Sequence, residues 1–300
     1  MKKTLKGLAK LTRFDEYVYF VIITTLLGVA SAGGDFDWRF FVIIPANWLA
    51  VGFAFMINDL EDAPDDALAH EKSGRNPISA GLITPKTARI ASFVVGGLSA
   101  ALFGVLGLWP FMFGLIALIL GYLYSYRGIR LKTIAFFDIL SHCLMLAGLQ
   151  FLTGYFTYAS RLGQNWFWPF TFVMAISIYG ELYNEIRDIQ GDREAGLRHT
   201  AIVLGERTAH VLMIFVLGLG IFAGVVSLIM VELIPLWVFF LMVLLSILFV
   251  VPKILRIRRE DSSMKIQGSV QKPFERAAAL ALILQYLLPW LSDALKLNLF

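Results

Sequence analysis

The chain consists mainly of long apolar runs separated by short polar segments. A run of about 18 or more apolar residues is long enough to cross the hydrocarbon core of a bilayer as a helix. Hydrophobic residues make up 58% of the 300 residues and charged residues only 16%, which is too little polar surface to coat a water-soluble globule of this size. The sequence therefore predicts an all-α integral membrane protein.

Nine apolar segments are expected to cross the membrane as helices, because lipid offers an exposed backbone no hydrogen bonds. They lie near residues 17–33, 38–58, 88–107, 109–126, 134–156, 166–187, 208–230, 233–251 and 276–295. Residues 1–300 would then form a single membrane-embedded domain. Residues 1–15 are basic, with apolar residues every three positions, which is typical of an interfacial helix. The acidic Asp15 and Glu16 favour a retained first helix over a cleaved secretory signal.

The distribution of basic residues predicts the orientation in the membrane. With alternating loops, 23 of the 26 lysines and arginines fall on one side, and only Arg39, Arg161 and Lys296 fall on the other. Basic loops face the cytoplasm, so the N-terminus and the loops 59–86 and 188–207 are predicted to be cytoplasmic in a protein of the cell membrane. No basic stripe or nucleic-acid-binding motif accompanies the positive charge, so nucleic acid is not an expected partner. The single cysteine, Cys143, excludes a disulfide within the chain.

Two of the cytoplasmic loops begin with the same acidic pattern, N-x-x-x-D-x-x-x-D. The first copy is Asn58, Asp62 and Asp66, and the second is Asn184, Asp188 and Asp192. Residues four apart lie on one face of a helix, so each copy predicts a polar stripe at a helix end. Pro64 is expected to kink or end the first helix near Ala63, which would place Asp66 in the following turn.

Clustered carboxylates need a compensating cation, because two unit charges about 4 Å apart interact by about 4 kcal/mol at an effective dielectric of 20. Hard oxygen ligands without histidine or cysteine indicate Mg²⁺, which completes its coordination with water and substrate phosphate. A diphosphate bound between the two motifs would satisfy this preference. A single acidic loop could equally be a solvated surface, but two copies with one spacing on one side favour a site.

Basic side chains in the same loops are candidate partners for such a diphosphate. Arg75, Arg130 and Lys132 could hold phosphate oxygens through charge-assisted hydrogen bonds. Positive residues are also expected in any cytoplasmic loop, so topology alone could explain each of them.

Taken in order, these motifs resemble those of the UbiA-type intramembrane prenyltransferase superfamily. Asn58, Asp59, Asp62 and Asp66 match its NDxxDxxxD signature, and Asp188 and Asp192 match its DxxxD signature. The family's RPI-type loop is similar to Arg75-Asn76-Pro77-Ile78, which has an inserted asparagine. Its tyrosine-serine-lysine loop is similar to Tyr124-Ser125 together with Arg130-Leu131-Lys132. The family segment that follows the second motif is similar to the residues from His199-Thr200 to Leu204-Gly205.

The resemblance implies a bundle of nine helices around a central cavity and transfer of a polyprenyl group, such as geranylgeranyl, from its diphosphate to a hydrophobic acceptor. On this basis Asn58, Asp59, Asp62, Asp66, Asp188 and Asp192 are the expected Mg²⁺ ligands. The residues expected to bind the diphosphate are Arg75, Tyr124, Arg130, Lys132 and Asn184. The residues expected to be catalytic are Asp62, Asp66, Asp188, Asp192 and Lys132. Asp188 is also a candidate for orienting or deprotonating the acceptor. Phe53, Phe55, Tyr179 and Tyr183 are candidates for facing an allylic cation, with ordinary core packing as the simpler interpretation.

Three other functions are alternatives to prenyl transfer. A terpene cyclase of the same superfamily would use the same cation without a second substrate, but the intact first motif disfavours it. A CDP-alcohol phosphotransferase lacks support because its DGxxAR signature is absent. A transporter would carry its ionisable residues near the bilayer midplane, whereas here they lie at one edge. The acceptor stays open among quinone precursors, lipids and other isoprenoids.

Overall fold

The computed structural model describes residues 2–68, 74–194, 196–257 and 263–296, without the side chains of Lys2 and of residues 263–267. Parts of the predicted active-site loops, residues 69–73 and residue 195, therefore lie outside the described residues, and so do the basic residues Lys72, Arg258 and Arg259.

The described residues form α-helices connected by short turns, with no β-strand among them. In chain order the helices are α1 (Lys2–Leu11), α2 (Val18–Ser31), α3 (Phe40–Leu68), α4 (Pro85–Leu106), α5 (Leu108–Ser125), α6 (Phe137–Cys143), α7 (Leu149–Tyr158), α8 (Phe167–Glu194), α9 (Thr200–Leu204), α10 (Glu206–Ile229), α11 (Leu236–Ile254) and α12 (Ser263–Leu295). A π-helical turn, Leu144–Gly148, joins α6 to α7, and 3₁₀ turns occupy Phe14–Glu16 and Leu131–Thr133. The all-α membrane class predicted from the sequence is confirmed.

Seven helices of the described chain are long and apolar enough to cross a membrane, or eight if α2 and the segment before it, bent by 52°, form one span. The prediction of nine spans is therefore wrong as a count by length and composition. Two predicted spans, α2 and α8, are not counted among these seven for different physical reasons. Helix α2 has only 14 residues, and α8 carries Glu181, Asn184 and Glu185 on its second half, so it lacks a sufficiently apolar window.

Close helix contacts are made where side chains are smallest. A Cβ atom on Gly28 of α2 would collide with the backbone carbonyl of Phe151, and one on Gly154 of α7 would collide with that of Thr25. Small residues allow helix backbones to approach closely in membranes, where no hydrophobic effect drives helices together. The core around this contact includes the fully buried Leu26 and Phe151.

A second core lies where α3 packs against α4 and α5, with Phe53 and Phe103 among its buried members. Helix α4 begins at a Thr-Pro pair, because Thr84 Oγ1 accepts a hydrogen bond from the backbone of Thr87 and Pro85 needs no partner in the first turn. Gly107, with a φ of 120°, makes the sharp turn from α4 into α5.

The outer faces of α4, α10 and α11 carry many exposed large apolar side chains, and Val238 is the single buried residue along α11. Such faces are unfavourable in water and suit lipid contact. The protein is an integral membrane protein, and ion pairs among its described residues lie mainly near helix ends and in the connecting turns.

Candidate active site

The first acidic motif lies on the last turns of α3, which continues through Pro64 to Leu68. The prediction that the helix would end near Ala63, with Asp66 in a following loop, is therefore wrong. Side chains from neighbouring loops bond to the backbone carbonyls around the proline. Asn76 Nδ2 donates to the carbonyl of Asp59 at 2.7 Å, and Ser79 Oγ donates to that of Ala63 at 2.7 Å. These bonds hold the helix end in place where Pro64 cannot donate.

Asp62 is the centre of the charged contacts at this end of α3. Lys132 Nζ lies 2.7 and 2.6 Å from the two carboxylate oxygens of Asp62 and 3.0 Å from Oδ1 of Asn58. Arg130 Nη2 lies 3.1 Å from Asp62 and 3.1 Å from Asp65. The part-buried oxygens of Asn58 and Asp62 thus already surround one cationic atom, which is the donor set that a hard metal ion also prefers.

The loop after α5 presents these cations through an unusual backbone conformation. Arg130 has a φ of 55°, and the 3₁₀ turn Leu131–Thr133 follows it directly. Arg127 anchors the loop, with its Nη2 3.0 Å from Asp65 and its Nε donating to the carbonyl of Glu61 at 2.8 Å. Burial lowers the pKa of Lys132 from its ordinary value, although the ion pair with Asp62 opposes this.

Two further residues of the first motif have partners outside the Asp62 cluster. Asp66 accepts a hydrogen bond from Asn76 Nδ2 at 2.9 Å. Asp59 is buried, and its carboxylate lies 3.6 Å from Nη1 of Arg13 in the turn that follows α1. Arg75, predicted to bind diphosphate, is exposed and pairs with Glu16 at 3.1 Å. The inserted Asn76, rather than Arg75, therefore contacts the acidic motif.

The second acidic motif lies entirely on α8, which runs to Glu194, so the predicted loop 188–207 begins inside a helix. Asp188 is exposed and pairs with its neighbour Arg187 at 2.8 Å. Asp192 lies 3.2 Å from Nε2 of His199. Asn184 lies one turn before Asp188 and is partly buried.

Adjacent residues at the end of α5 join the two motif-bearing helices. Ser125 Oγ donates to Oδ1 of Asn58 on α3 at 3.0 Å, and Tyr124 OH donates to Glu181 on α8 at 3.2 Å. The end of α5 therefore contacts α3 at Asn58 and α8 at Glu181, whereas a diphosphate site between the two motifs stays a prediction. Tyr124, predicted to contact diphosphate, is bonded to a carboxylate in this structure.

Sequence reasoning missed a buried polar group next to the second motif. Asp138, Glu185 and His199 are all buried, and one potential ligand atom of each lies within 4.8 Å of the others. The available signal was Asp138 itself, an isolated acid at the start of an apolar run, since intramembrane ionisable residues are expensive to bury. Glu185 follows Asn184 directly, but it falls outside the repeated spacing.

The four aromatic candidates divide into two pairs. Phe53 is a core residue against Gly96, and Phe55 stacks on Tyr17 with centroids 5.2 Å apart and lies under Arg13. Both are therefore engaged in packing. Tyr179 and Tyr183 face one another on α8 with centroids 6.4 Å apart.

These features define an all-α integral membrane protein with a charged polar site where the ends of three helices meet. The sequence profile of the UbiA prenyltransferase family matches residues 21–268. The chain belongs to the UbiA prenyltransferase family, and it is a prenyltransferase by class.

Two curated relatives are similar to the chain over most of its length. The chain is 25% identical over 221 residues to a digeranylgeranylglyceryl phosphate synthase of Sulfolobus acidocaldarius, covering 74% of this chain and 78% of the relative. It is 30% identical over 215 residues to a lycopene elongase/hydratase of Haloferax volcanii, covering 66% of this chain and 64% of that relative.

Solved structures share the fold at lower identity. A UbiA homolog from Archaeoglobus fulgidus bound to GPP and Mg²⁺ superposes with a TM-score of 0.66 at 18% identity, covering 93% of this chain and 98% of the other. The apo structure of a UbiA homolog from Aeropyrum pernix K1 superposes with a TM-score of 0.67 at 15% identity, covering 91% and 98%.

Proposed function

We propose that the protein transfers a polyprenyl group from its diphosphate to a hydrophobic acceptor, with Mg²⁺ held by the two acidic motifs. The observation that carries this proposal is the contact of Lys132 with Asp62 and Asn58, at 2.6 to 3.0 Å. It places oxygen ligands for a metal directly beside cationic groups for a phosphate. The family membership and the archaeal homolog bound to GPP and Mg²⁺ support the same chemistry.

The donor set of the site fits Mg²⁺, because carboxylate and amide oxygens predominate at both motifs. The expected ligands are Asn58, Asp62, Asp66, Asp188 and Asp192, with Asp59 supporting the first motif from its buried position. When bound there, Mg²⁺ would neutralise the negative charge of the diphosphate and help it to leave. Protonated carboxylates bind the metal poorly, so activity should require these groups to be ionised.

Lys132 and Arg130 are proposed to bind the diphosphate oxygens, with Tyr124, Asn184 and Arg75 as further partners. When the allylic carbon–oxygen bond breaks, its electron pair stays with the diphosphate, and preorganised cations stabilise the charge that develops. The acceptor then attacks the allylic cation and loses a proton, for which Asp188 is the proposed base or orienting group. Asp188 is exposed, and its carboxylate lies 2.8 Å from Nη2 of Arg187.

Geranylgeranyl diphosphate is the proposed donor. The acceptor is proposed to be lipophilic or aromatic, since the relatives named above include a glyceryl phosphate synthase and a lycopene elongase/hydratase. The orientation is proposed to place the charged site at the cytoplasmic surface of the cell membrane, where water-borne Mg²⁺ reaches it.

The test is an assay of purified protein with geranylgeranyl diphosphate, Mg²⁺ and a panel containing a glycerol-phosphate lipid, a carotenoid and an aromatic quinone precursor. Asp62→Ala and Asp192→Ala should each lower turnover by about 100-fold or more, the scale of losing a group that stabilises the transition state. Glu194→Gln, a matched exposed acid outside the stripe on α8, should leave turnover unchanged.

Full turnover in both aspartate variants would exclude the proposed metal site. Incubation with the diphosphate alone distinguishes prenyl transfer from cyclisation, because a cyclic hydrocarbon formed without an acceptor would contradict transfer.

A further inference from the structure

A buried group of titratable side chains lies beside the second acidic motif and is not used by the mechanism above. It consists of Asp138 at the start of α6, Glu185 on α8 and His199 just before α9. The exposed fraction of these residues is 1%, 7% and 5%. Buried ionisable groups are costly unless they are paired or hydrogen-bonded, so this arrangement needs a physical reason.

The two carboxylates hold the backbone of residues 199–201. Asp138 accepts hydrogen bonds from the backbone nitrogen of Thr200 at 2.6 Å and from its hydroxyl at 2.5 Å. Glu185 Oε2 accepts one from the backbone nitrogen of Ala201 at 2.8 Å. The unpaired amides at the start of the short helix α9 are thereby satisfied by helices α6 and α8.

This fixed backbone places the imidazole of His199 between two acids of α8. Its Nδ1 lies 3.2 Å from Oε2 of Glu185, and its Nε2 lies 3.2 Å from Oδ2 of Asp192. Glu185 is buried, whereas Asp192 is more exposed, so the ring links the interior to the last carboxylate of the motif. Among the described residues, no hydrogen bond reaches the other carboxylate oxygen of Asp192, Oδ1.

We propose that His199 is a positioning residue that orients the Asp192 carboxylate toward the metal–diphosphate site. The inference rests on the proposed function, since it gives Asp192 a ligand to hold. Hydrogen-bond partners of ligating carboxylates commonly set ligand orientation, and their loss typically lowers metal affinity by about 10- to 100-fold.

A transition-metal site built from the same three residues is the competing interpretation, because their ligand atoms approach within 4.8 Å. The hydrogen bonds argue against it. Both oxygens of Asp138 already accept from Thr200, and Oδ1 also accepts from the backbone of Ile139 at 2.7 Å. A metal would have to break these contacts and release the 199–201 segment.

The test compares His199→Asn with His199→Gln, two amides that differ in reach. The Asn amide nitrogen corresponds to Nδ1 and can face Glu185, whereas the Gln amide nitrogen corresponds to Nε2 and can reach Asp192. His210→Gln is the matched control, because His210 is exposed and contacts the backbone of its own helix. Binding of Mn²⁺ in the presence of inorganic diphosphate, followed by electron paramagnetic resonance, supplies a readout independent of turnover.

We expect His199→Asn to weaken Mn²⁺ binding and to raise the half-saturating Mg²⁺ concentration about 10- to 100-fold. For His199→Gln, we expect both quantities to stay within about threefold of the wild-type values, because the glutamine amide can still donate a hydrogen bond to the Asp192 carboxylate, although with less exact geometry than the ring. Equal Mn²⁺ binding by the two variants, whether normal or impaired in both, would overturn the positioning role. A transition metal that is present in the purified wild type and absent from His199→Asn would overturn it as well. If the wild type transferred no prenyl group, the proposed function would fail, while the Mn²⁺ comparison would still test the contact.

Discussion

The ammonium group of Lys132 contacts both carboxylate oxygens of Asp62 and Oδ1 of Asn58, so its positive charge lies directly against the first acidic motif. We predict that Lys132→Met lowers prenyl transfer by about 100-fold or more, as expected for loss of a preorganised cation at a developing anion. Steady-state turnover of the purified variant checks this. Lys86→Met, an exposed lysine in the first turn of α4, is the matched control. Normal turnover in Lys132→Met would remove this residue from the proposed mechanism.

His199 makes protein stability depend on pH. Burial lowers its pKa, but hydrogen bonds to Asp192 and Glu185 outweigh this and raise the pKa from 6.5 to about 9. A folded-state pKa above the unfolded one stabilises the protein fully below pH 6.5, and this stabilisation is lost as the pH rises through about 9. Since a tenfold change in proton affinity corresponds to about 1.4 kcal/mol, the effect is at most about 3.5 kcal/mol.

We therefore predict that wild type loses more stability between pH 6.5 and 9.5 than His199→Gln does, in detergent without divalent cations. Melting temperatures of the two proteins across this range supply the measurement, and taking their difference cancels titrating groups that do not contact His199. Parallel curves for the two proteins would contradict a charged His199 in the folded state.

At the residue scale, the sequence predicted the acids of the repeated motif, because a spacing of four fixes a helix face without further information. It also predicted Arg130 and Lys132 as partners of a diphosphate, and the structure places both beside Asp62, while their role toward a diphosphate stays a prediction. It did not predict the group formed by Asp138, Glu185 and His199. These residues come from three helices or turns, so only tertiary packing brings them together.

At the scale of elements, α3 shows why its C-terminal end could not be predicted. Local sequence contained the helix-breaking Pro64, but the hydrogen bonds from Asn76, Ser79 and Arg127 that hold this end come from two other loops. The same loops carry the groups around Asp62 and Asp66. The same two loops therefore stabilise the C-terminal end of α3 and supply the polar and charged side chains around Asp62 and Asp66.

Helix α1 and the turn that follows it pack on this assembly through an ion pair, a hydrogen bond from Lys10 to the carbonyl of Gly74 and a close contact at Gly7. Arg13 faces the buried Asp59 at 3.6 Å, and Gly7 packs so closely on Ile83 that a Cβ atom would lie 2.5 Å from Cγ2 of Ile83. Because Asp59 is buried, loss of Arg13 leaves its charge without a nearby partner. The basic N-terminal segment is therefore part of the folded structure as well as an interfacial helix.

We predict that Arg13→Met destabilises the protein by about 2–4 kcal/mol, near the cost of removing one partner of a buried ion pair. The double variant Arg13→Met/Asp59→Asn should recover most of this loss, because no unpaired charge remains. Thermal unfolding in detergent of the wild type and of the single and double variants provides the comparison. Lys3→Met, an exposed lysine on the same helix, should have no effect. Additive effects of the two substitutions would show that Arg13 and Asp59 do not interact.

At the scale of the whole molecule, composition predicted the membrane class, but hydropathy alone gave too many spans. Helix α8 has 28 residues and packs against α10, yet its acids and Asn184 exclude it from the apolar set. Among those acids, Glu181 contacts Tyr124 of α5, and Glu185 and Asp192 contact His199. The polar residues proposed to act in prenyl transfer are thus the reason why α8 does not pass as an apolar span.

The bias of lysine and arginine predicts which side of the membrane the site faces. We predict that, in a Cys143→Ala background, Ser160→Cys in the turn after α7 reacts with a membrane-impermeant maleimide in intact cells. Gly74→Cys, in the turn before α4, should react only after permeabilisation, because that turn lies on the basic side. Both positions are exposed, so differences in labelling report their side of the membrane.

The reverse labelling pattern would contradict the orientation and would also affect the proposed chemistry. Gly74 accepts a hydrogen bond from Lys10 and lies two residues before Asn76, which contacts Asp66. The side that labels Gly74→Cys is therefore the side on which the first acidic motif meets water. If that side were external, the proposed supply of Mg²⁺ and polyprenyl diphosphate from the cytoplasm would fail, even if the contacts of Asp62, Lys132 and His199 were all correct.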